Sequence, residues 1–302
     1  MKYTQKKLIN FTNLDLGSGF GLQLDSGLGR PNACVLRPQS PMFLGCFSAD
    51  DFLAVMEKIG MLAGLKELGF NDINVHIDID EARVHYMKLY SGKPGPENML
   101  IDLRVTETRF MPDKRFFPKA ELVPAYDMVV IEWLSLQNPK TDDFASDRPQ
   151  LPGQTKPGLG ILKYCFGIMY EVAKEVSKDG FLDMPEYLHA AIMYAKKFKF
   201  FDPVYEAMIR ALLRDLSSYS MSDLSWGMIT KTIIDESTGA PEIYAPSEQI
   251  YHASDRMKDY FRSGNYASIF KKSYRKKKYR FDYQKMIKAR TEILKTKNIS
   301  DV

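Results

Sequence analysis

The chain has 302 residues, 45% apolar and 26% charged, a globular balance with apolar side chains enough for one large core or two ordinary ones. No apolar run approaches the roughly 18 residues that cross a bilayer, the first residues lack the long apolar stretch of a secretory signal, and three cysteines (Cys34, Cys46 and Cys165) without CxxC spacing exclude a disulfide framework and a cysteine zinc ribbon, so the expected location is the cytoplasm. The net charge of +4 is uneven: residues 271–302 hold 12 Lys and Arg against 3 Asp and Glu, and the other 270 hold 30 against 35, so a mildly acidic body carries a basic C-terminal segment.

Residues 1–47 are punctuated by Gly and Pro and read as an extension of loops and short strands. Within them, LDLGSGFG (14–21) matches the glycine-rich first motif of S-adenosylmethionine methyltransferases. That chemistry needs a strand before the glycines and a helix after them to aim amide N–H groups at an anion. The LQLDSGLGRPN stretch that follows offers no helix, so a loop or hairpin is expected. From Ser48 to Leu68, a Ser48–Asp51 capping pair and the spacing of Phe52, Val55, Met56, Ile59 and Leu62 predict a helix, ended by Gly69.

INVHIDI (73–79), ARVHYMKLYS (82–91), MLIDLRVTETRF (99–110) and DMVVIEWLSLQ (127–137) predict strands, the last with a buried VVIEWL centre. If the first two pair about an Asp80-Glu81 turn, His76 faces His85 and Asp78 faces Arg83. That face is then either a metal pair or a solvated surface with one ion pair. The segment 138–160, with four prolines, is a long polar connection of the kind that is functional or disordered.

Ile161, Leu162, Cys165, Ile168, Met169, Val172 and Val176 share one helical face, on which Cys165 is expected to pack rather than react. FLDM (181–184) reads as a short strand, Pro185 opens a helix to about Lys197, FKFF (198–201) is extended, and Asp202-Pro203 opens a helix to about Leu216. Beyond a mixed stretch, the last 50 or so residues read as helical with a basic face. There KKSYRKKKYRFDY (271–283) interleaves Tyr274, Tyr279, Phe281 and Tyr283, after Phe270, with Lys and Arg. Such a segment can neutralise phosphates while its rings stack on bases, be drawn to an acidic membrane surface, or dock on the acidic body through its aromatics. The pattern implies an α+β domain on a mixed sheet over 48–216 and a helical region with a basic tail over 217–302.

The order from 127 to 201 is a buried strand, a loop ending Pro157-Gly158-Leu159-Gly160, an amphipathic helix, a short strand, and a helix carrying Ala190 and Tyr194. It resembles the cofactor-binding half of the GNAT superfamily of acyl-CoA-dependent N-acyltransferases. The resemblance implies a mixed, mostly antiparallel sheet flanked by helices, in which two strands splay to admit the pantetheine arm of acetyl-CoA or another acyl-CoA. Its Gly-x-Gly falls on Gly158 and Gly160, so that Gln154 and the backbone through Leu159 to Ile161 would hold the pyrophosphate. Glycines let the backbone approach closely at a helix N-terminus, where unpaired N–H groups favour an anion. The family's tyrosine near the thioester sulfur falls on Tyr194.

Glu132 lies in the strand where members of that family often keep a general base, so the resemblance makes it the candidate for taking a proton from an amine, and burial by apolar neighbours would raise its pKa toward that work. His189 is a second acid/base candidate. Thr155 stands where the family's loop has Arg or Gln, Tyr187 where its second helix has Asn, and Lys199-Phe200 where Gly-Phe follows. The implied activity is acyl transfer from coenzyme A to a small-molecule or peptide amine. The alternative is a non-catalytic protein on the same scaffold, acting through residues 271–290 on nucleic acid or an acidic partner.

Overall fold

The computed structural model describes residues 41–145 and 148–296, so the LDLGSGFG motif and Cys34 lie outside the described residues. Ser48 caps the first helix, α1 (Ala49–Lys58), reciprocally with Asp51, as expected. The helix does not run on to Leu68. Gly60 adopts a φ of 74° and a second helix, α2 (Met61–Glu67), starts after it. A left-handed residue interrupts the helical ladder, and apolar spacing that continues across the break hides it from a periodicity argument.

Four strands follow as an antiparallel meander: β1 (Ile73–Ile79), β2 (His85–Ser91), β3 (Met99–Phe110) and β4 (Tyr126–Leu136). The β1–β2 register differs from the expected one. His76 faces Lys88 and His85 faces Ile79, so the His76/His85 pair does not form. The connection is longer than a two-residue turn, with Arg83 in the left-handed region (φ 62°) and the Asp80 carboxylate accepting from the Val84 amide and the Tyr86 hydroxyl. His85 is buried instead, its Nδ1 accepting the Leu44 amide at 3.0 Å.

A crossover through α3 (Leu162–Glu175) brings β5 (Gly180–Asp183) parallel to β4. Then come α4 (Leu188–Tyr194), β6 (Lys199–Phe200), α5 (Pro203–Asp215), α6 (Met221–Ile229), and the short strands β7 (Ile233–Asp235) and β8 (Ala240–Pro241). β9 (Gln249–His252) inserts between β5 and β6, antiparallel to both, giving the order β1-β2-β3-β4-β5-β9-β6. The chain ends in α7 (Asp255–Arg262), α8 (Gly264–Lys276), β10 (Tyr279–Phe281) and α9 (Tyr283–Thr296), with β10 joining β7 and β8 in a three-stranded sheet. The fold is thus mixed α+β, with a mostly antiparallel sheet flanked by helices. Strands of two to four residues beyond Ser217 carry too little period to be read from sequence.

Side chains alternate across a strand, and where β4 and β5 pair they are covered on both faces. Val129 and Phe181 join a core with Phe52, Met56 and Leu65 of the first helices and Ile168 of α3. Met128 and Leu182 join Phe201, Ile250, Met257 and Tyr260 on the other side.

Asp179 holds the start of the parallel pair. Its amide donates to the Asp127 carbonyl at 2.7 Å, and its carboxylate accepts the Asp127 amide (2.7 Å), the Ser254 hydroxyl (2.6 Å) and the Arg256 guanidinium. Burial alone would raise this carboxyl, but the bonds from Arg256, Ser254 and Asp127 outweigh it and hold it below its ordinary value. Asp179→Ala is expected to cost about 2 kcal/mol in urea unfolding, because the Asp127 amide and Ser254 hydroxyl lose their acceptor. A depressed folded pKa means stability that is present above the unfolded value and lost as pH falls through the folded one, so the variant should show a shallower acid-side loss than the parent.

Candidate functional site

β4 and β5 run together over Met128–Val130 and Gly180–Leu182 and then part: β4 continues along β3 to Leu136, whereas β5 ends at Asp183. The parting coincides with a bulge. Arg104 faces Trp133 and Val105 faces Ile131, so Glu132 is an extra residue on β4 with no partner on β3. A bulge bends its strand and re-aims the side chains around it. Glu132 is consequently exposed rather than buried as expected, and its carboxylate accepts the Thr106 hydroxyl at 2.5 Å.

The end of the 138–160 segment meets the chain just past β4. Gln137 and Gly158 form an isolated antiparallel bridge, and the Asn138 amide donates to the Pro157 carbonyl at 2.7 Å. Gly160 has a φ of 74°, where a side chain is strained, and a Cβ there would stand 2.9 Å from an Arg148 guanidinium nitrogen. Gly158 is different, since a Cβ would meet only the Gln154 amide and the Leu136 carbonyl, both at 3.6 Å. No side chain caps α3 at Ile161, and the Gly160 and Ile161 amides find no acceptor among the described residues. Unpaired amides at a helix start, with the Arg148 cation beside them, favour an anion. The Leu159 and Ile161 side chains are buried, so these two residues offer backbone only. Gln154 is bound within its own loop, its Oε1 accepting the Leu151 amide and its carbonyl accepting Gln150 Nε2.

Tyr194 packs between Phe166 and Phe198, with ring centroids 6.0 and 5.1 Å away. Burial, with Asp183 and Cys165 nearby, pushes its phenol well above the ordinary value, so it stays protonated and has a proton to give. Cys165 is buried with its thiol pushed up to about 12, which makes it a packing group rather than a nucleophile.

His189 faces away from Tyr194, toward α6. Its Nδ1 lies 3.0 Å from the Ser225 hydroxyl and the Tyr187 ring stacks on it at 5.4 Å. The two are five residues apart on α4, which places them on different faces, so the structure does not bring these candidates together. Glu186, Tyr187, Ser225, Lys231, Ile243 and Tyr244 line a cleft of about 270 Å³ on the His189 side.

Asp183, missed in the sequence, is buried at the point where the strands part, and burial pushes its carboxyl up to about 7. The available signal was a lone acid closing an otherwise apolar strand, GFLD. No protein-family model, curated protein or solved structure matches the chain.

Burial holds His189 down to about 4, against 6.5 when exposed. The unfolded chain therefore takes up a proton that the folded one refuses, and stability falls as pH drops from 6.5 toward 4. The loss attributable to this group approaches about 3 kcal/mol. His189→Gln is expected to flatten that limb, as measured by urea unfolding on either side of the window.

Proposed function

We propose that the protein transfers an acyl group from an acyl-coenzyme A to an amine. The observation that carries this reading is the opening between β4 and β5. The two strands are tied at Asp127 and Asp179 and part at the Glu132 bulge, and the Gly158–Gly160 corner and the uncapped start of α3 lie at the far end of β4. Such a gap suits a ligand with a diphosphate on a long extended arm. The diphosphate would meet the Gly160 and Ile161 amides and Arg148, and the arm would lie along the free edge of β4. The finer assignment to a GNAT-like fold belongs to the same proposal, supported by one parallel pair within an otherwise antiparallel strand order.

In the reaction, the amine nitrogen attacks the thioester carbonyl carbon, the C–S bond breaks, and the sulfur takes the Tyr194 phenol proton. Tyr194 suits that role because burial keeps it protonated. Glu132, exposed at the bulge, would reach the amine's proton only through water.

Acetyl-CoA at a hundredfold excess over its Kd is expected to stabilise the protein by about 2.7 kcal/mol, read as a raised melting temperature. Gly158→Glu, which the corner has room for, should abolish that shift and leave the unliganded melt near that of the parent. A melt unmoved by acetyl-CoA overturns the reading.

One observation favours a second reading, a non-catalytic binder of duplex nucleic acid. Lys271, Lys272, Arg275, Lys276, Lys278 and Arg280 are exposed and ion-pair with no described residue. The aromatics between them are engaged in packing: Tyr279 is buried, Phe270 stacks on Tyr274, and Phe281 and Tyr283 meet Tyr219. Binding would rest on phosphates rather than base stacking. Retention on duplex DNA should then fall with salt, and each Lys→Glu change at 271, 272 or 276 should lower the slope of log K against log salt by about 1.

A further inference from the structure

We propose that Asp183 and Gln249 together bind the acceptor's nitrogen as an ammonium, and that Asp183 rather than Glu132 takes its proton. The proton transfer rests on the acyl-transfer reading, whereas binding of a cationic nitrogen stands without it.

Asp183 and Gln249 face each other in the β5–β9 ladder, so their side chains leave the same face of the sheet. Alternation puts that face on the Phe181 side, where Tyr194 lies. Val130 and Leu182 are the last β4–β5 pair, which makes Asp183 the first residue of β5 beyond it, at the opening. Gln249 is fully buried, and its Nε2 donates to the Ala191 carbonyl at 3.0 Å. That bond fixes the orientation of the amide and leaves Oε1 with no donor.

Asp183 keeps 9% of its surface exposed, forms no ion pair with a described residue, and accepts the Met184 amide. The titratable groups that feel it are Tyr194 of α4 and Tyr244 of the segment before β9, both phenols raised first by burial and then by the Asp183 charge. The Tyr244 hydroxyl is already committed to the Pro185 carbonyl at 2.6 Å. Two acceptors therefore share one face, and neither takes a hydrogen bond from a side chain of the described residues. Buried polar groups are normally satisfied, and a ligand bearing several N–H donors and a positive charge satisfies both. An alcohol brings one donor and no charge, and a carboxylate is repelled. Tyr244, which feels the Asp183 charge, also lines the cleft on the His189 side of α4.

A carboxyl pushed up to about 7 accepts and releases protons at neutral pH. The bound ammonium gives one proton to Asp183, which passes it to water. The freed amine forms its N–C bond to the thioester carbonyl and loses a second proton to Asp183, while the C–S bond breaks and the sulfur takes the Tyr194 proton. Asp183 then reprotonates the Tyr194 phenolate. The products are an amide, a thiol and one released proton.

The test uses the full chain carrying ¹³Cγ-labelled aspartate, with the Asp183 signal identified by its loss in Asp183→Asn. n-Butylammonium chloride is the probe, with n-butanol and sodium butyrate as controls. Butylammonium is expected to lower the Asp183 titration midpoint by about one pH unit, tenfold in acidity, and the controls to leave it in place. Asp183→Asn should melt higher than the parent at pH values above the Asp183 midpoint, because an unpaired buried charge is gone. It should also lose transfer from acetyl-CoA to butylamine. Gln249→Met should weaken the butylammonium effect even if the aspartate variant fails to fold. A midpoint that butylammonium does not move, or that butanol moves equally, overturns the proposal, as does parental transfer by Asp183→Asn. If acetyl-CoA fails to stabilise the protein while the butylammonium shift persists, only the transfer reading falls. If acetyl-CoA stabilises it and the shift is absent, only the amine site falls.

Discussion

Asp179 decides where the two parallel strands run together and therefore where they part. One side chain ties the backbone at the start of β4 to the entry of α7, while its own backbone closes the ladder with Asp127 and receives the amides of Ala253 and Ser254. With that end fixed, the extra residue in β4 can act only at the other end, where the strand bends away along β3 and β5 stops.

The acids of this region show how position sets chemistry. Glu132 stands on the bulge and is turned outward to Thr106. Asp179 is buried but surrounded by donors, so its charged form is favoured. Asp183, four residues later and without an ionic partner, is driven the other way. Hydrogen-bond donors around the carboxyl, rather than residue type, set these two buried acids apart.

Much of the fold was legible in the sequence because long periodic segments dominate it. The strands through 136, the helix after Gly160 and the Ser48 cap lie where alternation, helical spacing and capping chemistry put them. What was not legible was local and depended on pairing. The break at Gly60 leaves apolar spacing intact, the wide turn before His85 moves the histidines apart, and the bulge at Glu132 is visible only against β3. The sequence points to Glu132 on β4 rather than to Asp183 on β5 for that last reason. An acid within VVIEWL looks buried until the bulge turns it out, and Asp183 acquires its partner Gln249 from a strand 66 positions further along the chain.

That distance bears on how the protein is made. β9 is the strand that covers the outer edge of β5 and separates it from β6, so a chain emerging from the ribosome presents Gly180–Asp183 as a naked, apolar edge until residue 252 has been synthesised. Unpaired edges of this kind are where nascent chains stick to one another. The helices α5 and α6 are synthesised before that strand, so the pairing that covers this edge is completed by four residues from late in the chain.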